Sequence, residues 1–218
     1  MKLNSYLNEA NKKPQIKYDF FIKYTKANCK PWLNAVKSCN NKYVRRGYVA
    51  KDLVEIKSTR SNRVPVDTPR EIQAAVDIEF FKKFKWKPRS GGLFTFPPKI
   101  LGSGYGTGAG LVFPIGDFNY VWSSRIEDFF IWQSTNYKPA GIKNSKEELH
   151  YRKKWSEKVS RMYTDKDLCN ALNTMGEIVL NCKKYIIIQG SFLDQMYHPK
   201  GGLTMRERYN KFVEDVLL

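Results

Sequence analysis

The sequence predicts an α+β protein folded as one compact unit, with a helical N-terminal layer in residues 1–40 ahead of a sheet-and-helix unit in residues 41–218. Three observations lead there. Residues 18–38 and 68–84 repeat apolar side chains at helical intervals. Short β-branched segments occupy residues 43–56 and 177–188. From residue 90 the chain turns to short apolar stretches joined by glycine-rich connections. A chain of 218 residues buries roughly 70–75% of its unfolded surface, enough for one core without disulfides. Its 42% hydrophobic and 14% aromatic content is that of a globular domain and argues against disorder over most of its length.

Taken in order, residues 18–38 form two helices or one kinked at Pro31. Residues 43–56 alternate and give one or two strands. Thr68, Pro69 and Glu71 have the form of a capping box, followed by Ile72, Val76, Phe80 and Phe84 on one helical face. The last turn runs into KKFKWKPR, residues 82–89, with five bases and no acid. Glycines at 102, 104, 106, 108 and 110 make a run too glycine-rich for a strand throughout; it matches no dinucleotide or P-loop fingerprint and reads as a loop beside a ligand. Ser123 or Ser124 caps a short helix with Glu127 near its third position. Residues 145–173 are helix-forming, with Leu149, Trp155, Val159, Met162 and Leu168 for a core face. Two strands, or one bulged strand, surround NCKK after Glu177, and the tail from Met205 is helical.

The net charge is +17, and residues 1–63 hold 15 Lys or Arg against four acids. Such an excess favours nucleic acid or an acidic protein partner, or serves solubility alone. Four cysteines without a C-x-x-C pair and two distant histidines make a metal site improbable and point to free thiols in a reducing, intracellular compartment. No apolar run is long enough to span a membrane.

The order of short motifs is informative: a basic strand with Arg-Gly, a capped helix, a Ser-containing strand, a Tyr-Gly loop and a late strand opening on glutamate. Over residues 40–190 this resembles the ADP-ribosyltransferase superfamily, in a divergent form like small bacteriophage proteins. The resemblance implies a split pair of small mixed sheets flanked by helices, NAD as substrate, and no metal. It assigns cofactor binding to Arg46 and Gly47 in YVRRGY, with Arg45 as the other register, and the nicotinamide pocket to Ser90 in RSGGLF with Phe94 and Tyr105 as aromatic walls. Glu177 in GEIVLNCKKYIII becomes the catalytic acid. Met175 stands where arginine-modifying members carry Glu or Gln, and no Ser-Thr-Ser triplet follows Arg89, which leaves the acceptor open.

These residue types suit the chemistry. Breaking the nicotinamide–ribose bond builds positive charge on the sugar, which a fixed carboxylate opposes. An arginine fork meets diphosphate oxygens with two parallel hydrogen bonds where a lysine cannot. Lys82, Lys83, Lys85, Lys87 and Arg89, with Arg45, form a basic patch for nucleic acid or acceptor. Phe84 and Trp86 within it stack bases or anchor the helix. Each residue also has a structural reading: Glu177 as a solvated strand edge, Arg46 as one more surface base and Ser90 as a turn residue. Arg60, Arg63 and Asp67 form a polar cluster that organises the loop or faces an acidic acceptor. The expected function is a mono-ADP-ribosyltransferase acting on nucleic acid or an acidic host protein, in a host cytoplasm or virion. The alternatives are a non-enzymatic nucleic-acid-binding or virion-associated protein and an inhibitor of an acidic host protein.

Overall fold

A computed structural model describes residues 14–48, 52–64, 67–97, 108–139, 141, 144–197 and 202–217. The Tyr105 assignment lies outside the described residues. Helices α1 (Pro14–Asn28) and α2 (Lys30–Lys37) open the chain, with Pro31 in the first turn of α2. Strands β1 (Arg45–Tyr48) and β2 (Val54–Ser58) precede α3 (Arg70–Phe84), the short α4 (Pro88–Gly91), β3 (Leu93–Thr95), β4 (Gly108–Ile115) and β5 (Asn119–Trp122). There follow α5 (Phe129–Asn136), α6 (Ser145–Met162), α7 (Leu168–Ala171), β6 (Ile178–Asn181), β7 (Lys184–Gln189), α8 (Gly190–Tyr197) and α9 (Met205–Leu217).

The architecture is α+β, with a four-stranded sheet of order β1-β4-β7-β2 and a three-stranded sheet of order β3-β6-β5. Every pairing is antiparallel, which corrects the expectation of mixed sheets. The reason lies in how the strands are shared. β4 runs through a three-residue bend into β5, while β6 runs through Cys182 and Lys183 into β7, and the two segments pair along their length as one antiparallel ribbon. Three residues opposite two make a bulge, and Gly116 takes the left-handed conformation there at φ 73°. The ribbon therefore bends and lends its two halves to different sheets. At the other edge Arg45 and Phe96 exchange backbone hydrogen bonds of 2.8 Å each, joining β1 to the residue after β3.

β6 and β7 are buried on both faces, which explains why IVL and YIII read as continuous apolar runs instead of alternating ones. Ile178 and Leu180 face the larger core, built with α1, α2, α8 and α9; Val179 faces the smaller, built from Ile72, Val76 and Phe80 of α3 with Phe129, Trp155 and Val159. The N-terminal helices thus share a core with the C-terminal ones. Asp215 of α9 accepts hydrogen bonds from Tyr18 of α1 at 2.5 Å and Tyr197 of α8 at 2.7 Å.

Several local expectations are corrected. Pro69, not Thr68, is the N-cap of α3 and no side chain caps it; Thr68 is buried instead. Asp128, not Ser123 or Ser124, caps α5 through Ile131 N at 3.0 Å, while Ser123 Oγ accepts from Arg125 and Ile126 in a preceding turn. Leu149 is 64% exposed and α6 ends at Met162, so Leu168 reaches the core from α7. The segment of residues 43–56 gives two strands, β1 and β2, at opposite edges of one sheet. Cys39 and Cys169 form a disulfide, against the expectation of free thiols; Cys29 and Cys182 are free and buried. The pair is 130 residues apart, so no local spacing could reveal it.

Candidate functional site

Two glycines decide where the site's acid and its nearest base sit. Gly92 joins α4 to β3 so closely over β6 that a Cβ there would lie 2.2 Å from Val179 Cγ1 and 2.4 Å from the Pro88 carbonyl oxygen. A backbone atom cannot yield as a side chain does. Gly92→Ala is expected to lower stability by about 1–3 kcal/mol, measured as a shift of the urea midpoint; an unchanged midpoint would show that α4 accommodates the methyl. Gly176 precedes Glu177 under residues 123–128, where a Cβ would meet the Ser123 and Ile126 carbonyls at 3.2 and 3.3 Å. Glu177 N then donates to Glu127 O at 2.8 Å. The glutamate is pinned at the mouth of a central strand.

Asp77 of α3 fixes the other side. Its carboxylate accepts from the backbone amides of Arg89 at 2.8 Å and Ser90 at 2.9 Å, and burial raises its pKa against those hydrogen bonds. Arg89 is thereby turned inward. Its Nη1 donates to Glu177 Oε2 at 2.9 Å, both side chains being about nine-tenths buried. The same guanidinium rests 4.6 Å from the Phe94 ring centroid and 4.2 Å from that of Phe129. Arg89 was expected in the exposed basic patch, and the structure places it at the core-facing floor of a hollow instead. Lys82, Lys83, Lys85 and Lys87 are exposed, with Lys83 capping the end of α6 through the carbonyls of Ser160 and Tyr163 at 3.0 and 2.6 Å.

The hollow, about 700 Å³ counting the space open at its mouth, is lined by Arg46, Gly47, Phe94 and Glu177 together with Arg63 and Arg89. Asp67, Asp128 and Phe130 also face it. Arg46 Nη1 donates to the Phe94 carbonyl at 3.0 Å, leaving the rest of its donor fork for a ligand. Arg63 stacks 4.4 Å from the Phe94 centroid, and its backbone is held by Ser90 O at 2.8 Å and by Gln73 Nε2 at 3.0 Å. Ser90 does not reach this hollow. It lines a neighbouring one with Arg70, Ile78 and Lys87, separated by Arg63 and Gln73, which border both. Arg45, the alternative register, is not among the lining residues; its backbone carries the bridge to Phe96.

Burial pushes the Glu177 carboxyl above the ordinary carboxylate range, Arg89 and Arg63 pull it down, and Asp128 pushes it up. Burial also lowers the Arg46 pKa, opposed by Tyr185. Sequence reasoning missed Arg89 as a partner of Glu177 and Asp128 as a neighbour, and favoured loop organisation over an acceptor-facing role for Arg63 and Asp67, which line the hollow. The signal is faint: Arg89 stands one residue before Ser90 in RSGGLF. No group of three or more His, Cys, Asp or Glu suited to a metal occurs among the described residues, and no described helix is long and apolar enough to cross a membrane. In comparisons with known proteins no family model matches the chain, and no curated protein or solved structure does either.

Proposed function

We propose that the chain is a mono-ADP-ribosyltransferase that uses NAD, with Glu177 as the catalytic carboxylate and Arg46 as the diphosphate anchor. One observation carries this reading: Arg46, Gly47, Phe94 and Glu177, drawn from β1, β3 and the start of β6, line a single hollow although 130 residues separate the first from the last. The backbone route β1 to β3 to β6 links them through the Arg45–Phe96 bridge and the Phe94–Val179 pair.

In the reaction the bond between ribose C1′ and the nicotinamide nitrogen breaks, its electron pair neutralising the pyridinium ring. The acceptor's lone pair forms the new bond to C1′ and its proton leaves to solvent. Glu177 opposes the charge that grows on the sugar. The guanidinium of Arg46, joined by Arg63, meets the diphosphate. Phe130 supplies flat apolar surface for the nicotinamide ring, while the Phe94 ring is covered by the guanidinia of Arg63 and Arg89. The exposed Lys82, Lys85 and Lys87 and the basic N-terminal third attract a nucleic-acid or acidic-protein acceptor.

The test is release of nicotinamide and transfer of label from labelled NAD in the presence of nucleic acid and host lysate; neither occurring with wild type defeats the proposal. The +17 charge favours one second reading, a non-enzymatic nucleic-acid binder. Salt-sensitive binding that is unchanged by Glu177→Gln and comes without NAD turnover would select it.

A pH dependence follows from the raised Glu177 pKa. The carboxylate is the working form, so nicotinamide release is expected to fall on acidification with an apparent pKa above the ordinary 4.5. A limb at or below that value would contradict the assignment. Stability runs the other way. The folded protein binds this proton more readily than the unfolded chain, so the Glu177 contribution is best at low pH and declines as pH rises through the folded pKa.

A further inference from the structure

A carboxylate at the floor of a cleft faces two problems, and the structure supplies one group that answers both. Taken out of water, Glu177 tends to take up a proton and become useless against a sugar cation. Unrestrained, its two side-chain torsions beyond Cβ let the charge wander from the reacting carbon, and displacement of about 1 Å costs on the order of 10²-fold in rate.

Resting on the proposed transferase reading, we propose that Arg89 is the positioning residue of this site, holding Glu177 by one oxygen in the ionised state and leaving the other oxygen for the ribose. The bond is monodentate, Nη1 to Oε2 at 2.9 Å, and Glu177 Oε1 has no hydrogen-bond partner among the described residues. Arg89 is itself immobilised from three directions. Its backbone amide is fixed by Asp77, its guanidinium lies against the rings of Phe94 and Phe129, and Gly92 lets its short helix press onto Val179 beside the acid. Arg89 Nε is buried without a hydrogen-bond partner among the described residues, so the hydrogen bond from Nη1 and the two rings orient the side chain. A guanidinium suits this post better than a hydroxyl because it brings a permanent charge as well as a donor.

The other groups that act on Glu177 do not share the task. Arg63 approaches from the 59–64 connection, half-buried, and is placed for the diphosphate. Asp128, the cap of α5, repels the carboxylate, and Tyr163, after α6, is a buried phenol whose pKa burial and Glu177 raise. Arg89 is the strongest charge drawing Glu177 toward ionisation and makes the only side-chain hydrogen bond to its carboxylate among the described residues.

The experiment is the pH profile of NAD cleavage for wild type, Arg89→Gln and Arg89→Lys, with thermal melting of each. Arg89→Gln is expected to move the acid limb upward by about one to three pH units and to lower kcat more than it raises KM; Arg89→Lys is expected to restore much of the limb position while kcat stays reduced. A folded Arg89→Gln protein with an unshifted limb overturns the positioning role while leaving the transferase intact. So does an equal loss in both variants at every pH. Wild type that does not cleave NAD at all overturns the transferase reading itself. Should Arg89→Gln fail to fold, the Arg89→Lys profile decides: unchanged kcat rejects the proposal, and reduced kcat with the limb near its wild-type position upholds it.

Discussion

Glu177→Gln is expected to lower nicotinamide release by about 10²- to 10³-fold, because one preorganised group facing the developing charge contributes roughly 3–4 kcal/mol. The variant isolates charge from shape. Glutamine keeps an oxygen for Arg89 Nη1 and a similar volume under Gly176, so the loss reports the missing anion. Two opposing effects meet in its stability. Neutralisation removes the counter-charge of a buried guanidinium, which destabilises, and it also removes a carboxylate that burial disfavours. With both at work the melting temperature is expected to move by only a few degrees, where about 1 kcal/mol corresponds to roughly 2–4 °C in a chain of this size. Turnover within a few-fold of wild type would remove Glu177 from the chemistry.

Opening the Cys39–Cys169 bond is expected to cost about 2–4 kcal/mol and lower the melting temperature by on the order of 10 °C. The bond ties the turn after α2 to α7 across 130 residues of chain. Closing so long a loop removes much of the freedom of the unfolded chain. Lys42 and Asn173 hydrogen-bond beside it, so the reduced protein keeps a contact at this corner. Cys39→Ser with Cys169→Ser, melted alongside wild type with and without reductant, measures the effect. Thiol titration after rapid blocking gives the complementary result: two reactive thiols in denatured protein match the bond, and four show it unformed.

The fold was legible where one local signal suffices. Ile72, Val76 and Phe80 announced α3 by period alone, and the doubled apolar run after Glu177 announced β6 and β7, even to the interruption between them. It was illegible where the deciding contact is remote. The Thr68 box failed because Thr68 is drawn into the hollow, and Ser123 failed as a helix cap because its hydroxyl is used in a turn that packs on Gly176. The sharing of one ribbon between two sheets depends on strands that meet 56 residues apart or more, and the three-against-two bulge at Gly116 records it.

The candidate site divides in the same way. Arg46, Gly47, Phe94 and Glu177 were accessible through their order along the chain. Ser90 was chosen for its residue type, yet Asp77 engages its amide and turns it toward the adjoining hollow. Arg89 looked like one more base in KKFKWKPR. What separates it from its neighbours is the carboxylate it faces 88 residues later, a pairing that no stretch of sequence displays.

The bent ribbon has a consequence for the cleft. Arg46 stands on a strand of one sheet and Glu177 at the head of a strand of the other, so the gap between anchor and acid spans a crease. The two sheets are joined at the Arg45–Phe96 bridge and through the bend at Gly116, so the substrate gap is bounded by both ladders at once.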